Sequence, residues 1–584
     1  MTEANSYSKI EKKFKMHDLV INGGLIIDGT GAPAQAGDIA IDQGVISQVG
    51  GKAGPARRTL DAQGAMVTPG WIDIHTHYDG QATWDPYLSP STSHGVTSVV
   101  MGNCGMGFAP VKPDKRDWLI SVMEGVEDIP GAVLSEGIQW DWESFPEYMD
   151  ALSRRPKALD IATQIPHSAV RAYVMGERGI QHDETTPDDL FEMCNIVREA
   201  LKAGAYGFST SRTFLHKYDQ RKYPPGTFAT GEEISTLGQV LGEVGHGVLQ
   251  MTSNHISMHH EIPWMRNLAL KNKLPVVFNL QQTDPAPDLW KDILGTLKEA
   301  HAQNIPLYGG ICGRPVGLLF SWHSSLHPFI VSPAYLEIAK LPWPERIALL
   351  RQPEVRQAIL TGERLRTDER MRVMFGNFHK IYRLADNPDY EPEASESVKA
   401  MMQAQGRSGL EVVYDLMMER DGMAMLYYPS FNYSYGNLDH LHEWLQSDVT
   451  VNSLSDGGAH CNYICDVSMP TFMLTHWSRS RTRGDKFSVE AMVKRQTQDT
   501  ARIYGMNDRG TLQVGKKADI NIIDYDKLRL YAPEMVYDLP AGGRRLTQRC
   551  DGYIATLVAG QPIFENQQAT GALPGQLMRA GQKG

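Results

Sequence analysis

Two histidines one residue apart, His75 and His77, end the run Val67-Thr68-Pro69-Gly70-Trp71-Ile72-Asp73-Ile74-His75-Thr76-His77. Trp71, Ile72 and Ile74 predict a short strand buried on both faces, entered through the Pro69-Gly70 turn. Side chains two apart in an extended segment point the same way. Both imidazoles therefore face one point at the strand's C-terminal end, which is a metal-binding geometry. Alone the pair is a weak signal, because two histidines satisfied by ordinary hydrogen bonds would have the same spacing. Its weight depends on what other elements bring to that point.

The chain has 584 residues, long enough for one large barrel-type domain with appendages or for two or three ordinary domains. Its hydrophobic share of 42% and charged share of 21% are those of a protein with a substantial core. Lys and Arg number 57 against 68 Asp and Glu, a net charge of -11, and no long basic run occurs. A nucleic-acid surface is therefore not expected. Met1 to Lys15 is polar, and no apolar run reaches the roughly eighteen residues of a membrane span. The expected location is the cytoplasm, with no membrane partner. Six cysteines, Cys104, Cys194, Cys312, Cys461, Cys465 and Cys550, do not make a disulfide framework in so long a chain. Cys461 and Cys465 lack the second pair that a structural zinc knot needs.

Gly-punctuated apolar runs from Leu19 to Gly31 and from Asp38 to Val49, and again from Gly510 to Asp524 and from Tyr553 to Phe564, predict antiparallel strands. Neither end could hold a core alone, so residues 16–68 and 505–570 are expected to pair into one small β-sandwich. Between them the chain alternates buried strands with helical stretches such as Asp188 to Ala203, Gly231 to Gly245 and Leu289 to Gln303. The strands are expected to end at His75/His77, Cys104, His167, Ser209/Ser211, Thr252/Ser253, Asn279/Leu280, Cys312/Gly313 and Asp456. Eight strands alternating with helices make the expected fold class α/β, a (β/α)8 TIM barrel over residues 69–504, with its site at the strands' C-terminal ends. About 130 extra residues between strands seven and eight predict an inserted subdomain at about 320–445. Its aromatic patch, Tyr427 to Tyr435, could roof the barrel mouth, form an oligomer contact, or be plain core. Residues 1–15 and 571–584 are expected to be tails.

Several of these blocks together resemble a known family: Thr68-Pro69-Gly70 leading to His75-Thr76-His77, Gly95-Val96-Thr97 leading to Gly102-Asn103-Cys104-Gly105, Ser455-Asp456-Gly457-Gly458, and Arg509-Gly510 through Ala518-Asp519. They are similar to the amidohydrolase superfamily, nearest the N-acyl-D-amino-acid deacylase (D-aminoacylase) branch, over roughly Leu19 to Phe564. Pro224 to Thr230 also resembles that branch. The resemblance implies that His75 and His77 ligate zinc, that Cys104 adds a thiolate, and that Asp456 coordinates the metal or its water and serves as general base and then acid. Read without the family, Cys104 is a buried cysteine and Asp456 a turn residue before two glycines.

The sequence also departs from the pattern. The family supplies a histidine from each of strands five and six, where this chain has Thr252/Ser253 and Asn279/Leu280. The expected centre is one zinc held by His75, His77, Cys104 and Asp456. A second zinc stays open through His255, just beyond strand five, as a shifted ligand. At the mouth, His167 is expected to bind substrate or polarise its carbonyl. Arg314 and Arg212 are candidates to grip a substrate carboxylate, and His460 to orient the base or the water. His216 and Lys217 read as a solvated loop. No nucleophile elbow and no phosphate loop occur.

The expected function is hydrolysis of a linear amide, foremost in N-acyl-(D-)amino acids, by zinc-activated water with Asp456 as general base. The alternatives are an amidase or carbamoyl hydrolase for aryl or fatty amides, and a catalytically impaired barrel that acts as a binding protein. The expected partner is a small-molecule amide, and a homo-oligomer is left open.

Overall fold

The computed structural model describes residues 16–219 and 222–581. The expected N-terminal tail, 1–15, lies outside the described residues. Both ends of the chain share one nine-stranded sheet, in the order Gln568–Ala569, Gln561–Glu565, Tyr553–Val558, Ile520–Ile523, Met66–Pro69, His17–Ile26, Gln35–Asp42 and Val45–Val49, with Ala56–Asp61 also on His17–Ile26. The join is Met66–Pro69 running antiparallel to Ile520–Ile523. A bulge between Ile21 and Gly24 lets His17–Ile26 pair first with Ala56–Asp61 and then with Met66–Pro69. All nine strands are hydrogen-bonded into one continuous sheet. Leu19, Ile21, Ile39, Val67, Ile520 and Leu557 form its core.

The middle of the chain alternates parallel strands and helices. The strands are β1 (Trp71–Asp73), β2 (Val96–Met101), β3 (Asp160–Thr163), β4 (Gly207–Ser211), β5 (Val248–Thr252), β6 (Val276–Asn279), β7 (Leu307–Ile311) and β8 (Thr450–Asn452). Among the helices are α1 (Arg116–Glu127), α2 (His167–Met175), α3 (Pro187–Lys202), α4 (Gly231–Val244), α5 (Ile262–Asn272) and α6 (Leu289–Ala302). Strands β1 to β3 form one parallel run. The short Ile165–Pro166, β4, β5, β6, β7 and β8 form a second. The exits of β1 and β8 meet at a parallel bridge, Thr76 to Gly457, where His77 N donates to Gly457 O at 2.7 Å. Apolar side chains from six strands, Ile72, Val100, Ala162, Val248, Val277 and Val451, share one cluster with Ile503, Tyr504 and Met578. Met578 belongs to the C-terminal segment, which returns to β3: Gln576 N donates to Asp160 Oδ1 at 2.8 Å and Met578 N to Ile161 O at 2.8 Å.

Between β7 and β8 the chain builds a separate core around Phe320, Trp322, Phe329, Tyr414 and Met417, with a three-stranded sheet of Gly317–Phe320, Leu426–Pro429 and Tyr382–Arg383. Tyr427, Tyr428 and Tyr433 of the aromatic patch are buried. Asn432 ties that patch to the exit of β6, accepting from Gln282 N at 2.8 Å and donating to Gln281 Oε1 at 2.6 Å. The patch is core and anchor for the insertion. Among the described residues, no helix is long and apolar enough to cross a membrane.

Candidate metal centre

Period-two alternation on β1 carries Asp73, His75 and His77 to one side of its exit. Exit of the chain from β2 depends on Gly102, whose φ is +74° and where a Cβ would lie 2.2 Å from Gln164 O. Two residues later Cys104 also has a left-handed backbone, φ 56°, as do Asp456 at 49° and His460 at 54°. Each such non-glycine conformation costs about 1–3 kcal/mol, and clusters of them mark sites where side-chain aim matters more than local comfort.

The ligand atoms of His75, His77 and Cys104 all lie within 4.8 Å of one another. Cys104 Sγ is 3.2 Å from His75 Nε2. Asp456 Oδ1 closes the cluster, 3.4 Å from His75 Nε2 and 3.6 Å from His77 Nε2. The first three residues are buried, whereas the Asp456 side chain keeps 17% of its surface open. Two imidazoles, a thiol and a carboxylate converging on one point form a donor set suited to zinc, with the carboxylate on the accessible side.

Burial pushes the His75 imidazole down to about 3, leaving it a neutral lone-pair donor. Burial also pushes the Cys104 thiol up, so that a thiolate there calls for a neighbouring cation. For Asp456 burial works the other way from its neighbours: the facing His77, His75 and His460 imidazoles win, and hold the carboxyl well below the usual range. Asp73 supports the loop behind: the Ser455 hydroxyl donates to Asp73 Oδ2, and His75 N donates to Asp73 Oδ1 at 3.2 Å.

Where strands five and six lack histidine, a ring of hydrogen bonds stands instead. Cys104 N donates to Gln250 Oε1 at 2.8 Å, Gln250 Nε2 to Asn279 Oδ1 at 3.2 Å, and Asn279 Nδ2 to Thr252 Oγ1 at 2.9 Å. Thr252 Oγ1 lies 3.1 Å from Cys104 Sγ and completes the circuit. His255 stands outside the trio, edge-on to Phe431 with ring centroids 5.3 Å apart, and burial pushes it down to about 4.

The remaining expected residues are placed otherwise. His167, at the start of α2, has both nitrogens engaged, Nδ1 with Thr210 Oγ1 at 2.9 Å and Nε2 with Glu233 Oε1 at 3.0 Å. Arg171 Nη1 reaches the same Glu233 at 2.6 and 2.7 Å. The expectation that His167 polarises a substrate is corrected to a structural hydrogen-bonding role, because no ring nitrogen is left over. Arg314 is corrected likewise: it is 1% exposed, pairs with Asp466 Oδ1 at 3.0 Å and lies 4.1 Å from the Tyr390 ring centroid. Arg212 holds both Glu261 oxygens, at 2.7 and 2.6 Å. Both guanidiniums meet protein carboxylates where a substrate carboxylate was expected. His460 stays at the mouth, its Nε2 3.9 Å from Glu127 Oε2.

Two residues near the centre, Asp73 and Glu127, were not singled out from the sequence, and a third, His216, was read differently. Asp73 shares the period-two face of His75 and His77 and was legible on that ground. His216 was read as solvated, yet its ring turns inward, Nδ1 3.1 Å from Ser211 Oγ. Burial, then His460, His77 and His255 nearby, push it down to about 3. Glu127 ends a helix, a position that reads as solvated surface, and left no signal.

Nearly end to end, the chain is similar to a D-aminoacylase of Alcaligenes xylosoxydans xylosoxydans, with 26% identity over 567 residues covering 96% of this chain and 97% of the relative. A shorter stretch is 32% identical over 255 residues to an N-acyl-D-aspartate deacylase of the same organism, 43% of this chain and 46% of the relative. Among solved structures, an N-acyl-D-glutamate deacylase from Bordetella bronchiseptica, complexed with zinc and a phosphonate inhibitor, has a TM-score of 0.64 at 23% identity over 97% of this chain and 100% of that one. That likeness establishes a shared fold. A model described as the amidohydrolase family matches residues 58–564, from the composite sheet through every strand exit that carries the candidate ligands. The chain belongs to the amidohydrolase family.

Proposed function

We propose that this chain is a single-zinc hydrolase of linear amides, with N-acyl amino acids, the D series first, as substrates. The observation that carries the reading is the convergence of His75, His77 and Cys104 within 4.8 Å, with Asp456 3.4 Å away on the open side. His75, His77, Cys104 and Asp456 would hold the ion. Zinc supplies Lewis acidity when bound, acidifying water and polarising an amide carbonyl. The Asp456 carboxylate, held anionic by its imidazole neighbours, takes a proton from the attacking water and returns it to the leaving nitrogen. His460 and His216 line the approach and offer ring nitrogens to the substrate's polar groups. The ring of Gln250, Asn279 and Thr252 occupies the exits of β5 and β6 with side chains already satisfied by one another, which supports one metal over two. We place these residues at the mouth of one (β/α)8 barrel formed by the two parallel runs, flanked by a sandwich-like terminal domain. Six cysteines without a disulfide suit a reducing cytoplasm.

A second reading has its own observation. Arg314 and Arg212, the candidate carboxylate clamps, are committed to Asp466 and Glu261. A substrate without a carboxylate, an aryl or fatty amide or a carbamoyl compound, needs no such clamp. One experiment separates the readings: zinc per chain by elemental analysis, with turnover of N-acyl-D- and L-amino acids and of neutral amides, for wild type and Asp456→Asn. About one zinc and a 10²- to 10⁴-fold loss of kcat in D456N are expected. Preference for neutral amides would select the second reading. Protein that binds no zinc, with turnover indifferent to added metal, would overturn both in favour of a binding protein.

A further inference from the structure

Behind the ligand cluster lies a buried carboxylate that the hydrolytic reading does not use. Glu127, the last residue of α1, is 1% exposed. Its Oε1 is 3.5 Å from His77 Nδ1, and neither atom has a hydrogen-bond partner elsewhere among the described residues. Its Oε2 is 3.9 Å from His460 Nε2. Within 4 Å its ion-pair partners among the described residues are these two imidazoles, with no lysine or arginine. A carboxylate buried without a permanent cation costs several kcal/mol, so its place between two histidines calls for a compensating role.

The backbone around it points the same way. Glu127 O accepts from His460 N at 2.5 Å. Asp128, the next residue, has φ 52° and accepts from Asn462 N at 2.8 Å and Asn462 Nδ2 at 3.0 Å. The end of α1 is thus fastened to the loop that follows Asp456. His77 meanwhile divides its nitrogens: Nε2 faces Asp456 and the ligand cluster, and Nδ1 faces Glu127. A neutral imidazole has one N–H and one lone pair. A carboxylate behind Nδ1 places the N–H there and leaves the Nε2 lone pair to the metal.

We infer that Glu127 is a positioning residue, which fixes the His77 tautomer that presents Nε2 to the metal and ties the Asp456–His460 loop to the same point. This rests on the single-zinc reading above. The full chain is tested as wild type, Glu127→Gln and Glu127→Asp. Zinc affinity is measured by competition with a chelating dye, and the His77 tautomer by long-range 15N–1H correlation on protein with labelled histidine. Removing such a partner typically costs 10- to 100-fold in metal affinity. E127Q is expected to lose that much and to lose the Nδ1–H signature while its circular dichroism is unchanged, and E127D to recover part of both. Wild-type zinc affinity and tautomer in E127Q would overturn the positioning role and leave the hydrolase reading standing. A wild type that binds no zinc would remove both. Should E127Q not fold, E127D decides: unchanged affinity there overturns the inference, and a several-fold loss with Nδ1–H retained supports it.

Discussion

The rim of strand exits has two halves built from the same kinds of polar residue and used in opposite ways. On the side of β1, β2 and β8, His75, His77, Cys104 and Asp456 turn their donor atoms to one point. From β3 to β6, His167, Thr210, Gln250, Thr252 and Asn279 are as deeply buried, but each is met by a protein partner. Burial and residue type therefore do not distinguish a ligand from a strut. The distinction is whether the polar valence is spent inside the protein. A buried polar group must be paired, and in the proposed reading one half of the rim keeps its donor atoms for a metal while the other spends them on protein partners.

Breaking the proposed ligating half should have the largest effect. His77→Ala removes one donor and leaves Glu127 and Asp456 without their shared imidazole. The expected result is loss of stoichiometric zinc and a fall in kcat/KM of about 10³-fold or more. Elemental analysis and steady-state kinetics on the same preparation check it. Retained zinc with retained turnover would mean that the two halves do not differ in kind.

The paired half should answer in stability, with little change in turnover. Burial opposes the Glu233 charge, but His167 and Arg171 hold its carboxyl down to about 2 from an ordinary 4.5. A carboxyl whose pKa is lower folded than unfolded stabilises the fold above the unfolded value, and that contribution is lost as pH falls through the folded one. Glu233→Gln should therefore cost ~3 kcal/mol at pH 7, from the shift in pKa. The gap between wild type and variant should close between pH 4.5 and about 2. Urea midpoints across that range measure it. A variant as stable as wild type at pH 7, but with a large loss of kcat, would return His167 to the reaction.

How much of this contrast could be read in advance depends on the reach of each interaction. His75 and His77 were legible because strand period is local, and the strand exits because buried runs and turn residues are local. The pairing of Met66–Pro69 with Ile520–Ile523 in one sheet followed from the argument that neither end could hold a core. Cys104 and Asp456 needed the family resemblance, since a lone buried cysteine and an Asp before glycines have commoner explanations. The saturation of His167 by Glu233, of Arg314 by Asp466 and of Arg212 by Glu261 was not legible. The partners lie 66, 152 and 49 residues away, on segments whose helical or loop pattern says nothing of where a carboxylate points.

The smallest expected effect is the sharpest test of the boundary between the halves, because Thr252 and Cys104 meet across it at 3.1 Å. Thr252→Val keeps the shape and removes the oxygen, leaving Asn279 Nδ2 without its acceptor. An unsatisfied buried donor costs about 1–3 kcal/mol. If the ring serves only to satisfy itself, the variant should show that loss in its thermal or urea midpoint, while zinc per chain and kcat stay within about threefold of wild type. If Thr252 belongs to a second metal position, stability should fall less than the metal count. Zinc titration followed by elemental analysis distinguishes the cases: wild type at about one equivalent and T252V at the same value keep the boundary where the hydrogen bonds draw it. A wild type that takes up two equivalents and a variant that takes up one would move β5 into the ligating half.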